Sequence, residues 1–481
     1  MKYHIITLGC PKNAVDSEGM SGILDSQGHN PVSNADAADI LIVNTCSFIA
    51  SARDETLDVL REMAAKKTPG QRLIAAGCMA ESHGDLVQAV PGVDAIVGTR
   101  EWLKIGEVVG GASAPSKAAN TNFIPLSMDL GAPVKAPAAD LPMVEIPLPE
   151  AVADLTPGST ELDAPGAYAD WRTAPIKRQA TGPSAYLKIS DGCNLRCAFC
   201  TIPSFKGNMR SKAMGAIIGE AKELVEQGVR EIVLVAQHLT DYGRDLKIPD
   251  GLATLLDALC ESLPKDVWIR LMYAYPHGIT PRLIETMAKH PQICKYLDMP
   301  LQHADPATLR RMRRPPDTER TLKVLRDLRE AMPDIALRST FIVGFPGETR
   351  EEFQHLLDFL GEAKIDRVGV FRYSQEPGTP AAELPGQVRS QVIERRWHEV
   401  MQFQQGISLE RNLRWEGRTI QMLVEGQGED EEGNPLVVGR SFRDAPEVDG
   451  QVFAWGTAEI GSLVTVQIDQ ALEYDLWGSL V

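Results

Sequence analysis

Ser190-Asp191-Gly192-Cys193-Asn194-Leu195-Arg196-Cys197-Ala198-Phe199-Cys200 places three cysteines within eight residues, spaced Cys-x3-Cys-x2-Cys. The stretch follows an alternating apolar run, Ala185-Tyr186-Leu187-Lys188-Ile189, which reads as a strand. A loop at a strand end can turn three thiolates toward one centre. Four-iron clusters are held by cysteine thiolates. Three ligands rather than four leave one iron open to a group that is not protein.

A structural zinc knuckle is the alternative. Structural zinc takes four N or S ligands, commonly in paired Cys-x2-Cys units. No fourth Cys or His follows closely, and the next histidine is His238. The Cys-x3-Cys-x2-Cys loop resembles that of the radical S-adenosylmethionine (SAM) enzymes. In that family the open iron chelates the amino and carboxylate groups of SAM. The aromatic residue before the last cysteine, here Phe199, lies beside its adenine.

At 481 residues the chain is too long for one ordinary domain. Its 43% hydrophobic and 24% charged residues are normal for a globular protein. No apolar run approaches the ~20 residues that span a bilayer. The first ten residues lack the apolar length of a signal peptide. A cytoplasmic protein is expected, in which eight cysteines point to metal or catalysis rather than disulfides. A net charge of −16 argues against broad nucleic-acid binding and suits a basic protein partner.

Residues 1–110 alternate strand and helix. Apolar runs at His4–Leu8, Asp39–Cys46, Arg72–Cys78 and Val93–Gly98 are separated by helical segments such as Ser17–Ser26 and Ser51–Lys66. This predicts an open parallel α/β sheet. Right-handed crossovers put all strand C-termini on one edge, where such sheets bind ligands. Cys10, Cys46 and Cys78 each stand just past a strand end. Three buried core cysteines are the bland reading. Their equivalent positions favour a second three-thiol cluster site.

Residues 111–182 are rich in Pro, Ala, Gly and Asp without period, and read as a linker. Asp140–Ile146 has some edge-strand character. From 183 to 411 the alternation returns. Strands are expected at 184–190, 231–236, 268–274, 296–301, 338–344 and 367–373. Helices are expected at 213–227, 251–262, 280–289, 319–331, 349–363 and 388–409. Six βα units fall short of the eight of a closed TIM barrel, so a partial, open (β/α)6 barrel is predicted, with the cysteine loop at its active face. Residues 412–481 carry short apolar runs at Thr419–Val424, Leu436–Gly439 and Leu463–Ile468, divided by Gly, Asp and Pro. They predict a small antiparallel β-barrel or sandwich. From 413 onward, four arginines, no lysine and thirteen acidic residues leave a net charge of −9. The densest acidic run, Glu429–Glu432, reads as an exposed loop that could dock a basic partner or merely keep the surface soluble.

This order of parts resembles the radical SAM methylthiotransferases over nearly the whole chain. That family has two 4Fe-4S clusters, one in each of the first two domains, and a C-terminal TRAM domain. It replaces a C–H bond by C–S–CH3. One branch acts on adenosine in tRNA and typically reads Gly-Cys-Gln-Met-Asn at its first cysteine. The RimO branch acts on an aspartate of the twelfth small-subunit ribosomal protein and reads Gly-Cys-Pro-Lys-Asn, then Asp-Ser-Glu. Here stand Gly9-Cys10-Pro11-Lys12-Asn13 and Asp16-Ser17-Glu18. Asn44–Ile49, Tyr373–Ala381 and Tyr474–Gly478 are also similar to the RimO branch. The lysine-free, acidic last domain makes tRNA, the alternative substrate, a poor fit.

The resemblance implies a cluster on Cys193, Cys197 and Cys200 that cleaves SAM. It implies a second cluster on Cys10, Cys46 and Cys78 that delivers methylated sulfur. No catalytic residue is implied beyond these six. A reductant such as flavodoxin and a sulfur source are implied partners, and no membrane is. Phe199, Ala236, Gln237, Gly344 and Gly347 are the implied SAM contacts. Ala236-Gln237 ends the second barrel strand, and Gly344 and Gly347 lie in the Phe341–Thr349 turn. Pro300–Ala304, at the end of the fourth strand, reads equally as a structural turn. The chain departs from the family at Lys206-Gly207, where Arg-Gly is usual, at His238, where Asp commonly follows the Gln, and in its long linker. Cys260 and Cys294 read as core residues.

Overall fold

A computed structural model describes residues 1–111, 171–172, 178–430 and 432–481. The edge strand considered for Asp140–Ile146, most of the expected linker and Glu431 lie outside the described residues.

β1 (Lys2–Thr7), β2 (Asn30–Pro31), β3 (Ile40–Thr45), β4 (Arg72–Gly77) and β5 (Ala95–Gly98) form a parallel sheet in the order β2-β1-β3-β4-β5. Every residue of β3, Ile-Leu-Ile-Val-Asn-Thr, is buried, as a central strand covered on both faces requires. The first helix spans Pro11–Ser26, starting six residues before the expected Ser17. Proline at its first position explains this, because its fixed φ suits a helix start and its missing N–H costs nothing there. The Lys12–Asn13 pair is therefore helical and sits directly over the strand ends. Trp171, inside the expected linker, is buried in this domain's core with Met20, Leu24 and Trp102.

The second sheet is open and parallel, with β6 (Ser184–Lys188), β9 (Glu231–Val235), β10 (Trp268–Leu271), β11 (Ile293–Asp298), β12 (Ala336–Val343) and β13 (Arg367–Arg372) in sequence order. The two short strands β7 (Ser190–Asp191) and β8 (Arg210–Ser211) pair antiparallel and bracket the cysteine loop. β11 begins three residues before the expected 296, and its ladder with β12 ends at Asp298. Pro300, just beyond, has no N–H to donate, and Gln302 takes a left-handed φ of 76°. Two short helices, Ile202–Lys206 and Pro306–Arg311, were not legible from periodicity.

β14 (Thr419–Glu429), β15 (Pro435–Ser441), β16 (Val452–Trp455), β17 (Leu463–Ala471) and β18 (Leu476–Leu480) close into a five-stranded barrel. The expectation of a wholly antiparallel barrel needs correction: β16 and β18 pair parallel. That pair closes the ring, and closure leaves no free sheet edge. In the acidic run, Glu429 ends β14, Glu429 and Glu432 are exposed, and the Asp430 carboxylate organises the turn. It accepts the N–H groups of Glu432 at 2.9 Å and Asn434 at 2.8 Å, and the Asn434 side-chain amide at 2.9 Å.

The closed barrel is locked to the open one through buried charge. Glu231 on β9 accepts Arg270 Nε at 2.6 Å and Arg440 Nη2 at 2.6 Å, and all three side chains are buried. Arg270 also donates to the carbonyls of Phe442 at 2.7 Å and Ser441 at 3.1 Å. Arg367 reaches Asp444 at 2.8 Å. Burial alone would raise the Glu231 pKa, but Arg270 and Arg440 outweigh it and bring the carboxyl down to about 2. Its contribution to stability is therefore complete above the usual carboxylate range and is lost as pH falls through about 2. Glu231→Gln should destabilise the docked arrangement by about 3–5 kcal/mol at neutral pH, because it removes the buried carboxylate of Arg270 and one of the two carboxylates on Arg440. Urea unfolding should show this, and the gap from wild type should narrow toward pH 2.

Candidate metal centres

The turn after each of three neighbouring strands carries one thiol: Cys10 after β1, Cys46 after β3 and Cys78 after β4. Asn13 holds these ends in register. Its side-chain amide donates to the carbonyls of Leu8 at 2.9 Å and Thr45 at 3.0 Å, and its Oδ1 accepts from Cys78 Sγ at 3.5 Å. Asn44 Nδ2 in turn donates to the Asn13 carbonyl at 2.8 Å. Thr45 Oγ1 accepts the N–H groups of Met79 and Ala80 at 3.1 and 3.2 Å, fixing the turn that carries Cys78. Two glycines allow the close approach. Gly9 has φ +90°, and a Cβ there would lie 2.7 Å from Cys46 Sγ. Gly77 has φ +95°, and its Cβ would lie 2.1 Å from Asn44 Oδ1.

Cys193, Cys197 and Cys200 occupy the loop between β7 and the helix Ile202–Lys206. The loop is pinned by backbone bonds from Cys193 N to Gly207 O at 3.2 Å, Cys200 N to Cys197 O at 3.1 Å and Ala198 N to Met312 O at 2.9 Å. Arg314 Nη1 stands 3.8 Å from Cys197 Sγ, and its guanidinium lies 4.4 Å from the Tyr275 ring centroid. Arg314 escaped the sequence reading, because the fold alone brings Arg-Pro-Pro beside a loop 117 residues earlier.

A nucleophilic cysteine needs a lowered pKa. Burial does the opposite here. It raises the Cys46 thiol and pushes Cys78, Cys193 and Cys200 up to about 12. Metal coordination deprotonates such thiols outright. Among the described residues no three His, Cys, Asp or Glu side chains converge as ligands of one ion. A cubane cluster is a larger body than a single ion and holds its thiolates at wider corners. Two sets of three thiols, one at three neighbouring strand ends and one in a single loop after a strand, fit that donor chemistry.

The elements that carry the two sets meet at the junction of the first two domains. Lys206 Nζ bonds Thr99 Oγ1 of the first domain at 3.0 Å and the Asp191 carboxylate at 3.0 Å. Lys188 pairs with Asp16, and Arg178 with Glu18. Glu376, in the Tyr373–Ala381 segment, accepts Ala50 N at 2.9 Å and lies 2.7 Å from Arg53. Tyr273 and Tyr275 follow the end of β10, with Lys12 Nζ 3.5 Å from the Tyr273 ring centroid and the Arg314 guanidinium over Tyr275.

The implied SAM contacts differ in placement. Phe199 packs on the cluster of Ala198, Met312, Phe345 and Ala381. Ala236 is fully buried. Gln237 Nε2 donates to Asp191 Oδ1 at 2.8 Å, two residues before Cys193, and its Oε1 is buried with no donor among the described residues. Gly344 and Gly347 belong to a turn whose Phe345 abuts the cysteine loop. Their close approaches are to protein: a Cβ on Gly344 would lie 2.3 Å from Ile393, and one on Gly347 3.2 Å from Arg311. Gly344 N–H is held by Glu348, and Gly347 N–H by Gly386 O at 2.8 Å. In Pro300–Ala304, Gln302 bonds Thr340 O at 2.8 Å and Ile342 N at 2.7 Å, so this segment is a turn stitched to β12. His238 is buried edge-on to Tyr275 at 5.1 Å, with neither ring nitrogen hydrogen-bonded among the described residues. Burial brings its pKa down to about 4 and keeps it neutral. Cys260 and Cys294 are buried alone in the barrel.

Three family models match the chain: Uncharacterized protein family UPF0004 over residues 2–98, the Radical SAM superfamily over 187–360, and the TRAM domain over 417–481. The chain is 67% identical over 486 residues to the ribosomal protein uS12 methylthiotransferase RimO of Roseiflexus sp. (strain RS-1), covering 100% of this chain and 97% of that one. It is 64% identical to the protein of that name from Chloroflexus aurantiacus, with 99% of each covered. For Herpetosiphon aurantiacus the identity is 61% and the coverage 100% of both. Among solved structures, the radical SAM methyltransferase TsrM from Kitasatospora setae aligns with a TM-score of 0.53 at 15% identity, over 79% of this chain and 73% of that one. This last likeness is one of fold.

Gly77→Ala tests the strand-end geometry. The added methyl meets Asn44 Oδ1 and the Thr45 backbone at a φ that disfavours L side chains. A loss of about 1–3 kcal/mol in urea unfolding of the first domain is expected. Unchanged stability would show that the turn relaxes freely.

Proposed function

The chain belongs to the RimO family of ribosomal protein uS12 methylthiotransferases, and on that premise we propose how its own residues carry the reaction. The activity is methylthiolation of ribosomal protein uS12 by radical SAM chemistry, with SAM and 4Fe-4S clusters as cofactors. We assign one cluster to Cys193, Cys197 and Cys200, and the other to Cys10, Cys46 and Cys78. The target is the β-carbon of an aspartate. When bound, the two clusters and SAM supply one-electron C–H cleavage and the methylated sulfur that replaces the hydrogen. No protein base is strong enough to ionise that C–H, so the protein positions and shields rather than catalyses by proton transfer.

One observation carries this reading: the elements that carry the two three-thiol sets meet at one domain junction, where Lys206 bridges Asp191 and Thr99. An aspartate side chain bound at this junction would have a radical source in one domain and a sulfur source in the other. Phe199 and Ala236 line the side of the barrel thiols. Gln237 offers its unpartnered Oε1 to the SAM amino group. The Gly344–Gly347 turn closes the same side through Phe345. Arg314 beside Cys197 screens the negative charge of a bound cluster.

The last domain supports a protein substrate over tRNA. Arg440 and Arg443 are buried, and Arg418 is paired with Asp334 at 2.8 Å. Few cations remain there for phosphates, which tRNA binding requires. We place the reaction in the cytoplasm, with a flavodoxin-type reductant. No helix among the described residues is long and apolar enough to cross a membrane.

Anaerobically reconstituted protein should carry about eight irons, four per cubane, and Cys193→Ala about half of them. Cys193→Ala should abolish reductive SAM cleavage. Cys10→Ala should cleave SAM yet not methylthiolate, and wild-type methylthiolation by that variant would remove the first domain as the sulfur site. Mass spectrometry of uS12 and tRNA from a deletion strain tests the whole reading. The modification should vanish from uS12 and leave tRNA unaltered.

A further inference from the structure

Lys12 stands two residues past Cys10, in the first turn of the helix Pro11–Ser26, and is buried. Its Nζ lies 3.5 Å from the centroid of the Tyr273 ring. The contact crosses from the first domain to the end of β10. Among the described residues no carboxylate lies within ion-pair distance of it, and every neighbouring acid is committed elsewhere. Asp298 takes Arg338 Nη1 at 2.8 Å and the Tyr273 N–H at 3.0 Å. Asp191 takes Lys206 at 3.0 Å and Gln237 at 2.8 Å. Asp16 is held by Lys188.

Lys12, nine-tenths buried, keeps a side-chain donor with no hydrogen-bond acceptor among the described residues, and such a donor is one that a ligand can satisfy. Tyr273 supplies only the face of a ring, a partner that tolerates a cation without neutralising it. Tyr273 itself is held at a left-handed φ of 66°, so its placement under Lys12 is imposed by the fold. The position is also specific. Lys12 follows Cys10 by two residues and lies over Tyr273, while Tyr275 two residues on carries Arg314, which reaches Cys197 Sγ at 3.8 Å, so Lys12 lies at the domain junction between the two sets. On the reading above, the substrate carbon lies at this junction.

We propose that Lys12 Nζ binds the side-chain carboxylate of the substrate aspartate and selects aspartate over its neutral isostere, an assignment that rests on the aspartate reading above. An ammonium on the carboxylate fixes the adjacent β-carbon, which is one bond away from it, at this junction. The Tyr273 ring and its Asp298-held backbone set where the ammonium stands. A neutral amide in the same place leaves the ammonium unpaired and is rejected. Lys12 acts here as a substrate-binding and specificity-determining residue and makes or breaks no covalent bond.

The competing role for Lys12 is to balance the charge of a cluster on Cys10, and one experiment separates the two. Reconstituted wild type, Lys12→Met and Lys12→Arg are each titrated with fluorescently labelled uS12 carrying either the target aspartate or asparagine in its place. Wild type should bind the aspartate form about tenfold more tightly, the value of one charge-assisted hydrogen bond. Lys12→Met should bind both forms alike, with the loss on the aspartate form only. Lys12→Arg should recover part of the preference. Iron content and the EPR spectra of the reduced clusters should match wild type in both variants. A Lys12→Met protein that keeps the full preference overturns the proposal. So does one whose spectra or iron content change while binding does not, which assigns Lys12 to the cluster. Mass spectrometry of uS12 treated with wild type runs alongside. If wild type leaves uS12 unmodified and does not distinguish the two forms, the aspartate reading fails and the proposal with it. If wild type modifies uS12 but Lys12→Met discriminates as before, the proposal alone fails.

Discussion

Asp191 is the side chain on which the arrangement turns. It is buried two residues before the first barrel cysteine. Its carboxylate takes Lys206 at 3.0 Å and Gln237 at 2.8 Å, with Lys188 at 3.9 Å. Lys206 continues to Thr99 in the first domain. One carboxylate thus ties the cysteine loop to the second barrel strand and to the domain that carries the other three thiols. Its anionic form is stabilised by these cations, and they are satisfied by it. Removing any one leaves a buried charge with an incomplete partner set.

The same device recurs at both domain junctions. Lys188–Asp16, Arg178–Glu18 and Arg53–Glu376 join the first domain to the barrel. Glu231–Arg270–Arg440 and Arg367–Asp444 join the barrel to the last domain. Buried ion pairs add little net stability over apolar contacts of equal volume. They do penalise every slipped arrangement, because a slip unpairs a charge. An apolar interface would tolerate small displacements. On the proposed reading the substrate carbon must sit between two fixed centres, where misplacement of about an ångström is costly to rate.

The acidic character of the last domain is carried by its surface. Arg440 and Arg443 are turned inward to the junction, where Asp444 and Asp449 are buried with them. What faces outward keeps the acidic balance that the composition implies. That suits a basic ribosomal protein, through association rate more than final affinity.

The sequence by itself determined the class of each described domain. Periodicity gave the parallel first sheet, the six βα units and the short strands of the terminal barrel, because burial imposes a period on each element regardless of its neighbours. Cysteine spacing and strand-end position gave the two thiol sets, since a parallel sheet puts all its strand ends on one edge. Tertiary structure alone decided what stands between them. Asn13 spanning three strand ends, Lys206 bridging two domains, Arg314 beside Cys197 and Lys12 over Tyr273 are contacts between residues up to 261 positions apart, as the numbering of the last pair shows. No local period encodes such a contact, because it exists only once separately folded units have docked. The parallel β16–β18 pair and the early start of the first helix escaped for related reasons. One is set by ring closure and the other by a proline whose effect depends on which side of it the helix lies.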